Sequence, residues 1–318
     1  MVNKGKKITV LGVGNVGATI AYTLAQTGMA AEIVLCDINK AKAEGEAMDI
    51  TQGSSVGLPV NIYAADYSAA ANSDIIIVTL GMGRKPGQSR IDLAQCNVNI
   101  TKSVMPQIAE IAPNAIYVVV SNPVDIITYT ILKCTNLQKN QVIGSGTMLD
   151  TARLRSLLSE HVKINSHNVH AYVFGEHGDS SIIPWSLTSV AGMKMKEYCT
   201  NMCDEHNKCN KEALVGIEND MRTAGSRIIA NKGATFYAIA MVVKKICESI
   251  FNDARTTLTI SSMLEGEYGI SDVCLSIPYL VGASGIIKSM APTLTKEEKD
   301  GLQKSAEALK EVIASLTF

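Results

Sequence analysis

The chain has 318 residues, enough for two domains or one large one, and 47% of them are hydrophobic and 19% charged. This composition supports a large buried core and argues against disorder. A net charge of −1 argues against a nucleic-acid-binding protein.

Two features predict a cytoplasmic protein without a membrane partner. No apolar run reaches the ~18 residues needed to cross a bilayer, and the apolar stretch at 8–11 is shorter than the ~7–15 residues of a signal-peptide core. The eight cysteines are scattered along the chain, which is typical of a reduced protein that uses cysteine as a small hydrophobic residue.

The first predicted elements are a strand at 8–11, a glycine loop with the sequence Gly12-Val-Gly-Asn-Val-Gly17, and a helix at 18–25. Gly12 lets the chain turn, and Gly14 lets the backbone approach a pyrophosphate at the positive end of the helix. Gly17 allows the helix to pack closely on the strand. This order of elements predicts a dinucleotide-binding site.

A second predicted strand, 32–36, ends in Asp37, twenty positions after Gly17. An acid at this distance is placed to bind a ribose diol, although a tight turn followed by a solvated acid is the simpler alternative. The combined pattern favours nucleotide binding. Because the Asp37 carboxylate would repel the extra phosphate of NADP, we expect NAD as the cofactor.

The alternation of strands and helices then continues. The predicted elements are a helix at 39–50, strands at 60–64 and 74–80, a loop at 81–90, a helix at 91–112 and a strand at 115–120. Apolar strands without alternation, placed between helices, indicate a parallel sheet covered on both faces. Ligands bind at the carboxyl ends of such strands, where the loop 81–90 and Asn122 are expected.

A second group of polar residues follows. Asp150 and Arg153 share one face of a predicted helix at 147–158, a spacing that a surface ion pair would also explain. His177 lies in a glycine-rich segment after the apolar stretch 169–174, which we predict to be a strand. An acid, an imidazole and a guanidinium together predict proton transfer on a small anionic substrate.

Several motifs extend this pattern over the whole chain. They are Gly12–Gly17, Arg84–Arg90, Ser121–Asp125, Gly144–Arg153 and Gly175–Asp179. With these motifs the sequence resembles the family of NAD-dependent L-lactate and L-malate dehydrogenases. The resemblance implies an α/β fold with an N-terminal Rossmann domain, a doubly wound parallel sheet, at 1–145 and a mixed α/β substrate domain at 146–318. It also implies a homotetramer.

The resemblance implies a role for each catalytic residue. His177 acts as general base or acid, and Asp150 orients its ring. Arg153 binds the substrate carboxylate through a two-pronged guanidinium. Arg90 polarises the carbonyl on a closing loop, and Asn122 binds the substrate oxygen and the nicotinamide ribose. The cofactor-binding positions are Gly12, Gly14, Val16, Gly17, Asp37, Thr79, Gly81, Asn122 and Ser145.

The substrate-selecting positions disagree. Arg84 matches the arginine with which malate enzymes bind a second carboxylate, whereas lactate enzymes usually carry glutamine there. Glu176, Thr235 and the segment 144–147 resemble the lactate branch. We therefore predict an L-lactate dehydrogenase, with an L-malate dehydrogenase as the alternative. A catalytically silent NAD sensor is the non-enzymatic alternative, and the intact Asp150, Arg153, His177 and Arg90 argue against it.

Two further groups of residues are candidates for binding an effector and a metal. Arg155 and His170 match the positions at which allosteric bacterial lactate dehydrogenases bind fructose 1,6-bisphosphate, so this effector is a candidate ligand; exposed cations at a subunit contact are the alternative. Cys199, Cys203, His206 and Cys209 offer enough ligands for zinc. Because their spacing matches no familiar zinc finger, the sequence favours a reduced surface loop and no metal.

Overall fold

A computed structural model describes residues 5–83, 87, 89–204 and 209–318. The strands are Lys7–Leu11 (β1), Glu32–Cys36 (β2), Asn61–Ala64 (β3), Ile75–Val78 (β4), Ile116–Val119 (β5), Val142–Gly144 (β6), Val169–His170 (β7), Ser189–Val190 (β8), Met193–Lys194 (β9), Thr256–Glu265 (β10), Ser271–Gly282 (β11) and Gly285–Ser289 (β12). The helices are Asn15–Ala25 (α1), Lys40–Ser54 (α2), Arg90–Ile111 (α3), Val124–Cys134 (α4), Met148–Val162 (α5), Met195–Met202 (α6), Lys211–Lys232 (α7), Tyr237–Phe251 (α8) and Lys296–Ser315 (α9).

The large sheet has nine strands in the order β3-β2-β1-β4-β5-β6-β10-β11-β12. The six strands from β3 to β6 are parallel, and β10, β11 and β12 continue the sheet with antiparallel pairing. The order reverses between β1 and β4, so the carboxyl ends of these two strands flank the crevice where doubly wound sheets bind ligands.

The parallel strands form because their side chains are apolar on both faces. All four residues of β4 are fully buried, as are Ile8, Val10 and Leu11 of β1. Strands of this kind must be covered by helices on both sides. The predicted parallel sheet is therefore confirmed, with strand limits within a few residues of those expected.

One predicted strand is wrong in extent. The apolar stretch 169–174 is a strand only over β7, which pairs with β8 in a small antiparallel sheet of β7, β8 and β9. The backbone N–H of Val173 instead donates to the Thr151 hydroxyl at 3.0 Å, and Phe174 pairs with Ile182 in an isolated bridge. The run changes partners along its length, so it cannot remain in one ladder.

Buried residues between 154 and 221 form a second, smaller core. It contains Leu154 and Leu158 of α5, Met195 of α6 and Met221 of α7, all buried. In this core α5 packs against α7, and α5 also contacts β10 of the large sheet. The domain boundary at 145 stays a prediction, because β10 pairs with β6 and carries C-terminal residues into the N-terminal sheet.

None of the helices in the described ranges is both long enough and apolar enough to cross a bilayer.

Candidate active site

The glycine loop follows β1 and leads into α1. Gly12 has φ +88°, and a Cβ there would lie 2.6 Å from the Thr79 carbonyl oxygen. A Cβ on Gly17 would overlap the Gly12 carbonyl oxygen. Apart from its two chain neighbours, no described residue has an atom within 4 Å of the position that a Cβ on Gly14 would take. Protein packing therefore accounts for Gly12 and Gly17, while Gly14 leaves an open face for a ligand.

Two polar side chains hold this loop in place. The Asp37 carboxylate, just after β2, accepts hydrogen bonds from the backbone N–H groups of Val13 at 2.6 Å and Asn39 at 2.8 Å. The Thr79 hydroxyl, just after β4, lies 2.9 Å from the Leu11 carbonyl and 2.6 Å from that of Gly12. An open glycine face at a helix N-terminus, with a carboxylate at the adjacent strand end, fits a dinucleotide.

A cavity of about 210 Å³ joins the nucleotide half to the catalytic half. The predicted residues that line it are Val16, Asn122, Ser145, Arg153, His177 and Thr235. These positions span more than two hundred residues of sequence, yet they meet at the carboxyl ends of β5 and β6 and beside α5 and α7. The structure thus brings the predicted cofactor and substrate positions to one place.

Asp150 lies at the centre of the catalytic group. Its Oδ2 is 2.6 Å from His177 Nδ1, and its Oδ1 accepts from Arg153 Nη1 at 3.1 Å. The side chains of Asp150, His177 and Arg153 are 12%, 25% and 17% exposed, respectively. A surface ion pair between Asp150 and Arg153 is therefore excluded.

Burial and neighbouring charges shift the pKa of both His177 and Asp150. Burial lowers the pKa of His177, but the charge and hydrogen bond of Asp150 and the charge of Asp125 outweigh it, and the net pKa is raised. Burial raises the pKa of Asp150, and the nearby His177 and Arg153 outweigh that effect, so the net pKa is lowered. An imidazolium beside a carboxylate is the state that these contacts favour.

Two residues that support the site were not assigned a role from the sequence. Asp125, on α4, is 3% exposed and accepts from the His177 backbone N–H at 2.8 Å and from the Ser261 hydroxyl at 2.5 Å. Burial raises the pKa of its carboxyl to about 6. The contact fixes the loop that carries His177 against β10.

The second is Asn97 of α3. Its side-chain amide donates to the Asn122 carbonyl at 2.8 Å, and its oxygen accepts from the Met82 N–H at 2.8 Å. Asn97 is 3% exposed. In the sequence, Asn97 stands out as a polar residue near the apolar Ala94 and Val98, which are buried on α3. The sequence does not show that Asn97 contacts Asn122 and Met82.

Other predicted residues lie outside this group. Arg90, at the start of α3, is 73% exposed and forms an ion pair with Asp179 at 2.6 Å, so it does not line the cavity. Gly81 has φ +125° and lies against Asn97, between β4 and the predicted closing loop. Arg84 lies outside the described residues.

The predicted effector residues share a separate cavity of about 590 Å³. Arg155 Nε donates to the Ala171 carbonyl at 2.9 Å, and its guanidinium lies 5.1 Å from the Tyr172 ring centroid. His170, on β7, is exposed and lines the same cavity, as does Lys245 of α8. The cavity therefore offers several cationic side chains.

Comparison with known proteins gives the family. Residues 6–144 match the family model described as lactate/malate dehydrogenase, NAD binding domain. Residues 147–317 match the model described as lactate/malate dehydrogenase, alpha/beta C-terminal domain. The chain is an NAD-dependent 2-hydroxy acid dehydrogenase by class, and it belongs to the lactate/malate dehydrogenase family.

Individual relatives agree with the family models. The chain is 47% identical over 313 residues to L-lactate dehydrogenase 1 of Clostridium acetobutylicum, covering 98% of this chain and 99% of that one. It is 48% identical to the L-lactate dehydrogenase of Acetivibrio thermocellus, covering 98% and 97%. The crystal structure of the minor L-lactate dehydrogenase from Enterococcus mundtii matches with a TM-score of 0.94 and 34% identity, covering 99% and 100%.

These matches confirm the predicted Rossmann fold, NAD as the cofactor and the class of enzyme.

Proposed function

We propose that the chain is an L-lactate dehydrogenase, which interconverts L-lactate and pyruvate with NAD. The observation that carries the proposal is the single cavity in which His177 and Arg153 meet the predicted cofactor positions Val16 and Ser145. The similarity to curated L-lactate dehydrogenases over 98% of the chain supports the same choice.

The residues have separate tasks in the proposed mechanism. Asp150 occupies His177 Nδ1, so Nε2 gives a proton to the substrate carbonyl or takes one from its hydroxyl. Arg153 uses the N–H groups not bonded to Asp150 for the substrate carboxylate. Asn122 binds the substrate oxygen. Arg90 leaves Asp179 and enters the site when the loop before α3 closes and excludes water.

We assign cofactor binding to predicted positions that follow β1, β2, β4, β5 and β6 or lie at the start of α1. They are Gly12, Gly14, Val16, Gly17, Asp37, Thr79, Gly81, Asn122 and Ser145. When bound, nicotinamide supplies or accepts the hydride. The raised pKa of His177 favours the protonated imidazole, which is the form that donates a proton in the reduction of pyruvate.

The lining of the cavity favours a substrate with one carboxylate. Among the described residues around it, Arg153 is the one guanidinium or ammonium group, and Leu149, Ile229 and Ile239 are apolar. Oxaloacetate would bring a second carboxylate, whose burial without a cation is unfavourable. Arg84 is the candidate cation for that carboxylate, and it is the reason to retain malate as the second candidate.

Steady-state kinetics with pyruvate and oxaloacetate in parallel test the choice. We expect the higher kcat/KM for pyruvate, and a higher value for oxaloacetate would overturn the proposal. In Arg84→Gln, we expect residual oxaloacetate reduction to fall roughly ten- to a hundredfold with little change for pyruvate, the range for one charge-assisted contact of about 1.5–3 kcal/mol.

We also propose a homotetramer with fructose 1,6-bisphosphate bound in the cavity of Arg155 and His170. The cationic side chains around this cavity suit a phosphorylated ligand. Titration of the effector should lower the half-saturating pyruvate concentration, and Arg155→Gln should abolish the shift. An unchanged half-saturation in the wild-type protein would remove the effector, and sedimentation equilibrium tests the tetramer separately.

A further inference from the structure

A cluster of three cysteines lies outside the catalytic cavity, between the end of α6 and the start of α7. Cys199 is on α6, Cys203 follows the last helical residue, and Cys209 precedes the N-cap residue of α7. Their three Sγ atoms all lie within 4.8 Å of one another. The sequence spacing could not show this, because the return of the chain brings Cys209 to the other two.

The three sulfur atoms are close enough together to bind one metal ion. Cys199 and Cys203 are four positions apart, so they face the same side at the end of α6. A tetrahedral zinc with Zn–S bonds of about 2.3 Å holds its sulfurs about 3.8 Å apart. A small inward movement of the side chains would close the observed triangle to that size. An odd number of thiols cannot all be consumed by disulfides within the cluster.

The surroundings hold the three sulfur atoms partly out of solvent. All three cysteines are half-buried, and they pack against the smaller core beside Trp185 and Leu214. Thiolate sulfurs are ligands for soft or borderline metals such as Zn²⁺. Lys196 lines the same cavity as the three cysteines and brings a positive charge to it.

We propose that Cys199, Cys203 and Cys209 bind one Zn²⁺. On binding, three S–Zn bonds form, each thiol releases its proton to solvent, and the metal keeps its 2+ charge without any redox change. A water molecule takes the fourth position. His206, in the same segment of sequence, lies outside the described residues.

The site would affect the enzyme through α7. The N-terminal end of this helix follows Cys209, whereas Gly225 and Ile229 farther along the helix line the catalytic cavity. Between them, the Arg222 guanidinium donates to the Ser181 carbonyl at 2.6 Å, near the loop of His177. A metal that fixes the start of α7 would stabilise the helix wall of the active site without contacting substrate.

Metal analysis of the full-length protein, purified with a reductant and without a histidine tag, tests the site. We expect about one zinc per chain in the wild type and background zinc in Cys203→Ser. Cys134→Ser is the matched control, because Cys134 is also half-buried but lies on α4, outside the cluster. Replacement by Co²⁺ should give a sulfur-to-cobalt charge-transfer band in the wild type and Cys134→Ser only.

A second measurement avoids dependence on the folding of Cys203→Ser. Removal of zinc from the wild-type protein with a chelator should lower its Tm, and added Zn²⁺ alone should restore it. Reduced wild-type protein that binds no Zn²⁺ on titration would overturn the proposal. So would zinc content equal in Cys203→Ser and wild type, or a metal-free protein whose mass shows a disulfide among the three cysteines.

Discussion

At the scale of single residues, Asp150 determines the protonation of the site because its two oxygens have different partners. One oxygen lies 2.6 Å from His177 Nδ1, and the other accepts from Arg153 at 3.1 Å. The carboxylate therefore stabilises the imidazolium and orients the guanidinium at once. Without the charge of Asp150, burial and the nearby Arg153 would lower the pKa of His177, and the charge of Asp125 alone would oppose them.

Asp150→Asn should therefore shift the pH dependence of pyruvate reduction. Reduction requires protonated His177, so activity falls as pH rises through its pKa, and this fall should move to lower pH in the variant. At neutral pH we expect a loss in kcat/KM on the order of a hundredfold or more. Profiles between about pH 5 and pH 9 measure the shift.

Asp220→Asn is the control for this variant. Asp220 is on α7 and forms an exposed ion pair with Arg227, so its removal should leave the profile unchanged. An Asp150→Asn profile with the same midpoint as wild type would contradict the assigned role of Asp150.

At the scale of elements, the sequence predicts the local pattern well and the partners poorly. The strand, glycine loop and helix of residues 7–25 follow from apolar runs and glycine spacing, which are local signals. The sequence shows Asp125 only as part of the motif Ser121–Asp125. It does not show the contact with Ser261, because Ser261 lies 136 positions away. The strand predicted at 169–174 failed for the same reason, since its residues bond to two different parts of the fold.

The glycine loop gives a prediction about an element. A methyl group at position 17 would overlap the Gly12 carbonyl oxygen and lie 2.8 Å from Thr79 Oγ1. Because the backbone at Gly12 would have to move to make room, Gly17→Ala should lower the stability by about 1–3 kcal/mol and weaken NADH binding. Urea unfolding and a fluorescence titration with NADH measure the two effects.

Gly45→Ala is the matched control for the glycine loop. Gly45 lies within α2, and beyond the helix's own backbone no described residue has an atom within 4 Å of a methyl group there, so alanine should stabilise the helix by roughly 0.5–1 kcal/mol. NADH binding that is equal in Gly17→Ala and wild type would show that close packing of α1 on β1 is not needed for the site.

At the scale of the whole molecule, Asp125 connects the two halves of the chain. It belongs to α4 in the N-terminal half, and its carboxylate accepts from Ser261 on β10 and from the backbone of His177. The same contact joins the nine-stranded sheet to the catalytic loop. This contact places a carboxylate in the protein interior, and burial raises the pKa of that carboxyl from 3.8 to about 6.

This raised pKa predicts how stability depends on pH. Between about pH 4 and pH 6 the folded state keeps a proton on Asp125 that the unfolded state has lost, so this contribution to stability is full at low pH and lost as pH rises through about 6. Two units of pKa correspond to about 3 kcal/mol. Asn has the same shape, stays neutral, and can donate to Ser261 while it accepts from the His177 N–H.

Asp125→Asn should therefore remove the loss of stability that accompanies the ionisation of Asp125. The difference in the free energy of unfolding, variant minus wild type, should rise by up to about 3 kcal/mol between about pH 4 and pH 7. Urea unfolding at closely spaced pH values measures it, with the exposed Asp300→Asn on α9 as the control. A difference that stays constant over this range would mean that Asp125 has the same pKa in the folded and unfolded states, and that Ser261 and the His177 N–H fully offset its burial.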